Sequence, residues 1–216
     1  ALSLTNRQYE SLINNIDGIV WIADTETFQF SFVSSQAERI LGYPVKQWID
    51  EPGFWAGHIH PDDKIWALNL CLSATRELMP HDFEYRMIAS DGHIVWLHDV
   101  VSIVTDNGKP MLHGVMVDVS ARKLSEAALQ EKESIYRNLV EKMPDGVYKS
   151  THAGKIVEAN PALVKMLGYD SREELMAIDI KTDLYFDSTD RVSAALEQEL
   201  EEMAVYRLRK KDGSEI

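Results

Sequence analysis

Residues 9–43 read YESLINNIDGIVWIADTETFQFSFVSSQAERILGY, and residues 136–169 read YRNLVEKMPDGVYKSTHAGKIVEANPALVKMLGY. Both segments pass from an amphipathic helical stretch through an Asp-Gly turn and two short apolar strands to a helix that ends in Leu-Gly-Tyr. Further along, EYRMIASDGHI at residues 84–94 is matched by VYRLRKKDGSEI at residues 205–216. A repeat of roughly 120 residues is too long for a solenoid and indicates two copies of one domain.

The hydrophobic pattern of the first copy predicts five strands. After a helix at residues 6–16, two strands are expected, and Phe28, Phe30 and Phe32 alternate with polar residues in the second of them. Three more strands are predicted at residues 81–89, 93–105 and 111–118. Asp91-Gly92 and Asn107-Gly108 are hairpin turn signals between those three strands, so we expect an antiparallel sheet.

Several short helices are predicted between the second and third strands. The longest starts at His60-Pro61-Asp62-Asp63, where proline suits the first helical turn and the acids complement the helix dipole. Ile65, Leu68 and Leu72 are expected on its buried face. Because these helices fall between two groups of strands, they should cover one face of the sheet. The predicted fold class is therefore α+β, with a five-stranded antiparallel sheet in each copy.

A charged stretch without glycine or proline, residues 120–143, predicts a long helix between the two copies. Leu124, Ala128, Ile135 and Leu139 recur on it at helical spacing, and we expect their burial against a second chain or against the flanking domains. The predicted boundaries are 1–119 for the first domain, 120–143 for the linker helix and 144–216 for the second domain. By comparison with the first copy, the second is expected to stop before its last two strands.

Composition limits the classes of function. The net charge of −13 argues against a nucleic-acid partner, which would need clustered basic residues. No apolar run is long enough for a membrane span, and Cys71 is the single cysteine, so we expect a cytoplasmic protein. The sequence has no phosphate-binding glycine loop, nucleophile triad or zinc motif, and we expect neither catalysis nor a metal site in this chain.

Several short motifs follow one another in a fixed order. They are Leu41-Gly42-Tyr43 with its twin Leu167-Gly168-Tyr169, Ala159-Asn160-Pro161-Ala162, Ile59-His60-Pro61-Asp62-Asp63, Asp91-Gly92 followed by Val95-Trp96, and Asp118-Val119-Ser120. In this order and spacing they resemble PAS domains, also called sensory boxes. The resemblance covers nearly the whole chain and implies tandem PAS domains of a bacterial signal-transduction protein.

The resemblance implies a sensory and relay module that detects a small ligand or a partner. Its output domain would lie C-terminal to this chain, as a sensor histidine kinase of a two-component system or as a diguanylate cyclase or phosphodiesterase. A homodimer is expected. A ligand-free dimerisation module and a flavin or haem sensor of light or redox state are the alternatives. No cofactor is favoured, because residues 64–77 lack a haem-ligating histidine and Cys71 lies within the helix rather than in a flavin-binding motif.

The elements that would enclose a PAS cavity predict a ligand pocket in the first domain. Its expected lining is Trp21, Ile40, Trp66, Leu70, Cys71, Tyr85 and His98. Signal transmission is expected at the exit from the last strand into the linker helix, at Asp118, Val119, Ser120 and Arg122. A pairing of Asp118 with Arg122 or a nearby group would fix that exit.

Overall fold

The computed structural model describes residues 13, 16–106, 108–151, 153–185 and 207–216. The chain divides into two compact units, Ala1–Ala127 and Ala128–Ile216. The helix predicted at residues 6–16 lies outside the described residues apart from Ile13 and Ile16, and Asn107 of the second hairpin turn also lies outside them.

The first unit contains the predicted five-stranded antiparallel sheet. Its strands are β1 (Ile19–Asp24), β2 (Phe30–Val33), β3 (His81–Ile88), β4 (Ile94–Asp106) and β5 (Lys109–Asp118). Their order across the sheet is β2-β1-β5-β4-β3, and every neighbouring pair is antiparallel. Gly92 and Gly108 have φ angles of 89° and 81°, which is the left-handed conformation that the two hairpin turns need.

Alternation along the strands places one face of the sheet in the core. On β1, Ile19, Trp21 and Ala23 are buried, and the same period of two continues on β3, β4 and β5. A Cβ at Gly114 of β5 would collide with the indole of Trp21, so the glycine lets that ring lie flat against the sheet.

Four helices cover the inner face of the sheet. They are α1 (Gln36–Leu41), α2 (Val45–Asp50), α3 (Phe54–His58) and α4 (Pro61–Arg76). The start of α4 is capped as predicted, because Nδ1 of His60 accepts a hydrogen bond from the Asp62 amide at 3.3 Å. The predicted buried face of α4 is correct only in part, because Leu68 packs against the core and Leu72 is half-buried. Small residues, Ala67, Cys71 and Thr75, point inward, while Ile65 is 75% exposed.

The predicted linker helix is present as α5 (Ser120–Lys142), and it buries none of its residues. Leu124 and Leu139 are 74% and 61% exposed, and Ala128 and Ile135 are exposed as well. The expectation that these four residues pack against the chain's own domains is therefore wrong. Their burial against a second chain stays a prediction. None of the described helices combines the length and apolar character that crossing a bilayer requires.

The second unit repeats the start of the first and is less complete. Its elements are β6 (Tyr148–Ser150), β7 (Ile156–Ala159), α6 (Pro161–Leu167), α7 (Arg172–Met176) and a π-helical turn (Ile180–Leu184). The β6–β7 pair is antiparallel, and a bridge joins Tyr185 to Leu208. Residues 190–202, where the repeat leads us to expect a second copy of the long helix, lie outside the described residues.

Asn160 organises the second unit around four hydrogen bonds. Its Oδ1 accepts from the amides of Val147 and Leu163 at 2.9 and 3.0 Å. Its Nδ2 donates to the carbonyls of Val140 and Asp145 at 3.0 and 2.8 Å. One buried side chain thereby caps α6, fixes the loop before β6 and holds the end of α5.

Candidate functional site

A cavity lies between the inner face of the first sheet and the helices α3 and α4. Its inner chamber is about 20 Å³, with walls that are almost wholly apolar. A larger, partly open cleft of about 190 Å³ adjoins it, and Phe28, Trp55 and Cys71 line both spaces. The inner chamber has room for about one water-sized group, whereas the cleft is large enough for a benzene-sized ring.

Asp99 is the polar group in the wall of the inner chamber. It lies on β4 and is 1% exposed. Its Oδ1 accepts a hydrogen bond from Trp21 Nε1 at 3.1 Å, and its Oδ2 accepts one from the Tyr85 hydroxyl at 3.2 Å. Tyr85 in turn accepts from Trp55 Nε1 at 2.7 Å. The network therefore links β1, β3, β4 and α3 through one buried carboxyl.

The electrostatics of the cavity follow from this burial. Loss of solvation raises the pKa of Asp99 to about 7, against the lowering by its two hydrogen-bond donors. Burial and the nearby Asp99 charge also raise the pKa of Cys71 to about 12 and that of Tyr85 well above its usual value. Cys71 is therefore a neutral thiol at physiological pH, which fits an apolar wall better than a reactive nucleophile.

The predicted pocket residues fall into three groups. Trp21 and Cys71 line the inner chamber. Tyr85 is fully buried and touches the chamber's carboxyl through its hydroxyl. Ile40 and Leu70 are partly buried at the edge of the core and line neither space.

Two residues of the expected lining, Trp66 and His98, do not line the cavity. Trp66 is 41% exposed, because Cys71 rather than Trp66 lies on the inward face of α4. His98 lies on the outer face of β4, where its Nε2 is 3.1 Å from Asp82 Oδ2. A strand changes faces at every residue, so a shift of one position exchanges His98 for Asp99.

Sequence reasoning missed Asp99 and Trp55. The sequence did carry a signal for Asp99. Every second residue of β4 between positions 95 and 101 is buried, namely Val95, Leu97, Asp99 and Val101. An acidic residue at an inward position of an apolar strand is an unusual and informative feature.

The exit from β5 into α5 is held by backbone hydrogen bonds to β4. The Val119 amide donates to the Trp96 carbonyl at 2.9 Å, and the Trp96 amide donates to Ser120 Oγ at 2.9 Å. Asp118 Oδ1 accepts from the Ser120 amide at 2.8 Å. Three of the four residues predicted at this junction, Asp118, Val119 and Ser120, are thus attached to one another or to the neighbouring strand.

Charged side chains attach the first turn of α5 to β3. Arg122 and Lys123 both pair with Glu84, the lysine at 2.6 Å. Lys123 Nζ also lies 5.1 Å from the ring centroid of Trp96, within cation–π range. Asp118 was predicted to pair with Arg122 or a nearby group. Arg122 pairs instead with Glu84 and Glu126, and the nearby group that binds Asp118 is the Ser120 amide.

The histidines near α4 have structural contacts. His60 caps the helix, and Nδ1 of His58 is 2.7 Å from the Phe54 carbonyl oxygen. Within the described part of the chain, no group of three or more His, Cys, Asp or Glu residues could hold a metal ion.

Family comparisons identify both units. One model of the PAS fold matches residues 30–116, and a second matches residues 134–216. The chain therefore belongs to the PAS family and carries two PAS domains in tandem, which form a sensory signalling module. Both matches are to the PAS fold, and neither is to a catalytic domain. A comparison with curated proteins found no significant match.

Solved structures of bacterial signalling proteins resemble the chain. The N-terminal domain of a diguanylate cyclase with PAS/PAC sensor from Marinobacter aquaeolei is 34% identical, with a TM-score of 0.44 over 49% of this chain and 98% of that one. A sensory box histidine kinase/response regulator from Burkholderia thailandensis E264 is 24% identical, with a TM-score of 0.50 over 61% and 99%. A domain of a sensory box sensor histidine kinase/response regulator from Geobacter sulfurreducens is 17% identical, with a TM-score of 0.44 over 55% and 97%. The likeness to the Burkholderia structure concerns the fold alone.

Proposed function

We propose that this chain is the cytoplasmic sensory part of a sensor histidine kinase of a two-component system, with an input region of a diguanylate cyclase or phosphodiesterase as the alternative. The first PAS domain (residues 1–119) detects a small ligand or partner, the helix (residues 120–143) carries the change, and the second PAS domain (residues 144–216) passes it to a C-terminal output domain. The observation that carries this proposal is the attachment of the first turn of α5 to three strands of the sensing sheet.

The attachment gives the sheet a physical means of moving the helix. The first turn of α5 is covalently continuous with β5, is hydrogen-bonded to Trp96 of β4 and is paired with Glu84 of β3. A relative shift of these strands therefore changes the direction in which the helix leaves the sheet. Because α5 has 23 residues, it extends about 34 Å, so a small tilt at its start becomes a larger displacement at its end. A ligand drives this shift only by its differential affinity for two states.

The exposed apolar side chains of α5 support a homodimer. Leu124 and Ile135 are 11 positions apart, as are Ala128 and Leu139, while Leu129, Tyr136 and Met143 are spaced by seven. Spacings of seven and 11 keep apolar residues along one side of a helix. An exposed stripe of this kind is matched by the same stripe on a second copy of the helix. The dimer would place two output domains side by side.

The small inner chamber favours the second candidate, a ligand-free dimerisation module. A chamber of about 20 Å³ holds no flavin or haem as it stands, and none of the described residues that line it or the adjoining cleft is a histidine. In this alternative the tryptophans and phenylalanines fill a small core, and the signal enters through the helix stripe. If the chain were a flavin or haem sensor, the purified protein would be coloured.

Hydrogen exchange tests the attachment of the helix. Glu84→Gln should raise the exchange rates of the α5 amides from Lys123 to Glu126, because it removes the charge that holds the first turn. Asp82→Asn is the matched control, since Asp82 lies on the outer face of the same strand and pairs with His98 instead. Equal exchange in the two variants would contradict the proposed attachment.

A further inference from the structure

Asp99 is the one carboxylate among the described residues that line the cavity, and no cationic side chain in that part of the structure lines it as well. Among the described residues that line the chamber and the cleft, none is Lys, Arg or His. A buried carboxylate without a counter-charge is costly, and proteins normally pair such a group with a cation. Above about pH 7, where Asp99 is mostly ionised, the cavity therefore carries a negative charge that no described residue of its walls neutralises.

The hydrogen bonds of Asp99 leave part of its accepting capacity unused. An ionised carboxylate has about four lone-pair sites, and the two donors, Trp21 and Tyr85, occupy one site on each oxygen. Both donors are neutral, so they orient the carboxylate without cancelling its charge. Asp99 itself lines the inner chamber, so a group bound there can approach the carboxylate.

We propose that the cavity binds a compact, largely apolar molecule that carries one protonated amine, with the ammonium group in the inner chamber against Asp99 and the apolar body in the cleft. This inference rests on the proposed sensing role and names the class of ligand for it. An ammonium group is about the size of the water molecule that fits a chamber of about 20 Å³. The cleft of about 190 Å³ exceeds the ~150 Å³ that accommodates benzene in an apolar cavity.

The aromatic walls and the charge of the protein favour the same class. Phe28 and Trp55 line both spaces, and Trp21 lines the chamber, so their ring faces can attract a cation or stack on an apolar body. The net charge of −13 raises the local concentration of cations and disfavours anionic ligands. A carboxylate ligand would be repelled by the faces of these aromatic rings and by the net negative charge of the protein.

Binding of such an amine should strengthen as the pH rises through about 7. Burial raises the pKa of Asp99 to about 7, so the carboxylate is mostly neutral below that pH and charged above it. The other titratable groups that face the cavity are Cys71 from α4 and Tyr85 from β3, and both stay neutral in this range because burial raises the pKa of each. The residues that β1, β2, β5 and α3 contribute to the chamber are not titratable.

The test measures affinities for a matched series at about pH 8: 2-phenylethylamine, 2-phenylethanol and phenylacetate. Trp21 and Trp55 line the cavity, so tryptophan fluorescence of the full chain, checked by calorimetry, reports binding. A charge-assisted hydrogen bond predicts that the amine binds about 10- to 100-fold more tightly than the alcohol, with the acid weakest. Asp99→Asn should abolish the preference for the amine while the alcohol still binds.

Asp50→Asn is the control, because this exposed carboxylate lies outside the cavity and its loss makes the net charge less negative by the same amount. The proposal is overturned if the amine shows no advantage over the alcohol, if Asp99→Asn leaves the preference intact, or if Asp50→Asn abolishes it as well. Amine binding that leaves hydrogen exchange in α5 unchanged would count against the sensory relay but not against the ligand class. If a change in the cavity alters exchange in α5 but the amine does not bind, the ligand class is wrong and the sensory relay still stands.

Discussion

Asp99→Asn should change the pH dependence of the stability of the first domain. The pKa of Asp99 rises from its ordinary value of 3.8 to about 7 on burial, a shift of roughly three units. Each unit corresponds to about 1.36 kcal/mol, so the buried group costs about 4 kcal/mol when it is fully ionised. Because the folded state holds the proton more tightly than the unfolded state, its stability is greatest below the unfolded pKa and is lost as the pH rises towards about 7.

The magnitude over an accessible pH range follows from these two values. Between about pH 5 and about pH 8, ionisation of Asp99 should lower the free energy of unfolding of the wild-type protein by about 3 kcal/mol. Asparagine has a similar shape and does not ionise. The stability of the variant relative to the wild type should therefore increase by this amount over the same range, while the titrations of other groups cancel in the difference.

Urea unfolding followed by tryptophan fluorescence measures this difference. All five tryptophans lie between residues 21 and 96, so the signal reports the first domain alone. Asp50→Asn, at an exposed carboxylate outside the cavity, controls for the loss of one negative charge. If the difference between Asp99→Asn and the wild type stays constant from about pH 5 to about pH 8, the reasoning about the buried carboxyl is refuted.

Three further predictions concern other parts of the chain. Replacing Ile135 and Leu139 of α5 with glutamate should shift the protein from dimer to monomer in sedimentation, and a wild type that is monomeric at high concentration would contradict the dimer. Gly114→Ala should destabilise the first domain by about 1–3 kcal/mol in urea unfolding, since the new methyl group meets a buried indole, whereas Gly57→Ala, with open space around it, should not. Asn160→Ala should destabilise the second domain by about 2–4 kcal/mol through the loss of four hydrogen bonds, seen as faster amide exchange there and unchanged tryptophan-monitored unfolding.

The order of strands and helices could be predicted from the sequence because strong local signals mark it. The repeated segments, the alternating phenylalanines of the second strand and the glycine turns at Gly92 and Gly108 all agree with the observed sheet. The start of α4 was equally predictable, since a proline and two acids follow a capping histidine. These features depend on neighbouring residues, so the sequence alone carries them.

The lining of the cavity was harder to predict because it depends on which face of each element packs inward. On α4 the sheet approaches the small side chains of Ala67, Cys71 and Thr75. Ile65 and Trp66 turn outward, and Leu68 and Leu70 are only partly buried. On β4 a shift of one residue exchanged His98 for Asp99. The partner of Arg122 was also missed, because Glu84 lies 38 positions away and only the folded sheet brings it close.

The central claim, that a change in the cavity reaches the linker helix, is tested by amide hydrogen exchange in residues 118–124 of an Ala23→Val variant. Ala23 lines the inner chamber, so the added methyl groups stand in for an occupant. Ala37→Val makes the same change at a buried position of α1 that lines neither space. Exchange at the junction should change by roughly fivefold or more in Ala23→Val and should not change in Ala37→Val. Unchanged exchange in Ala23→Val, or the same change in both variants, would contradict it.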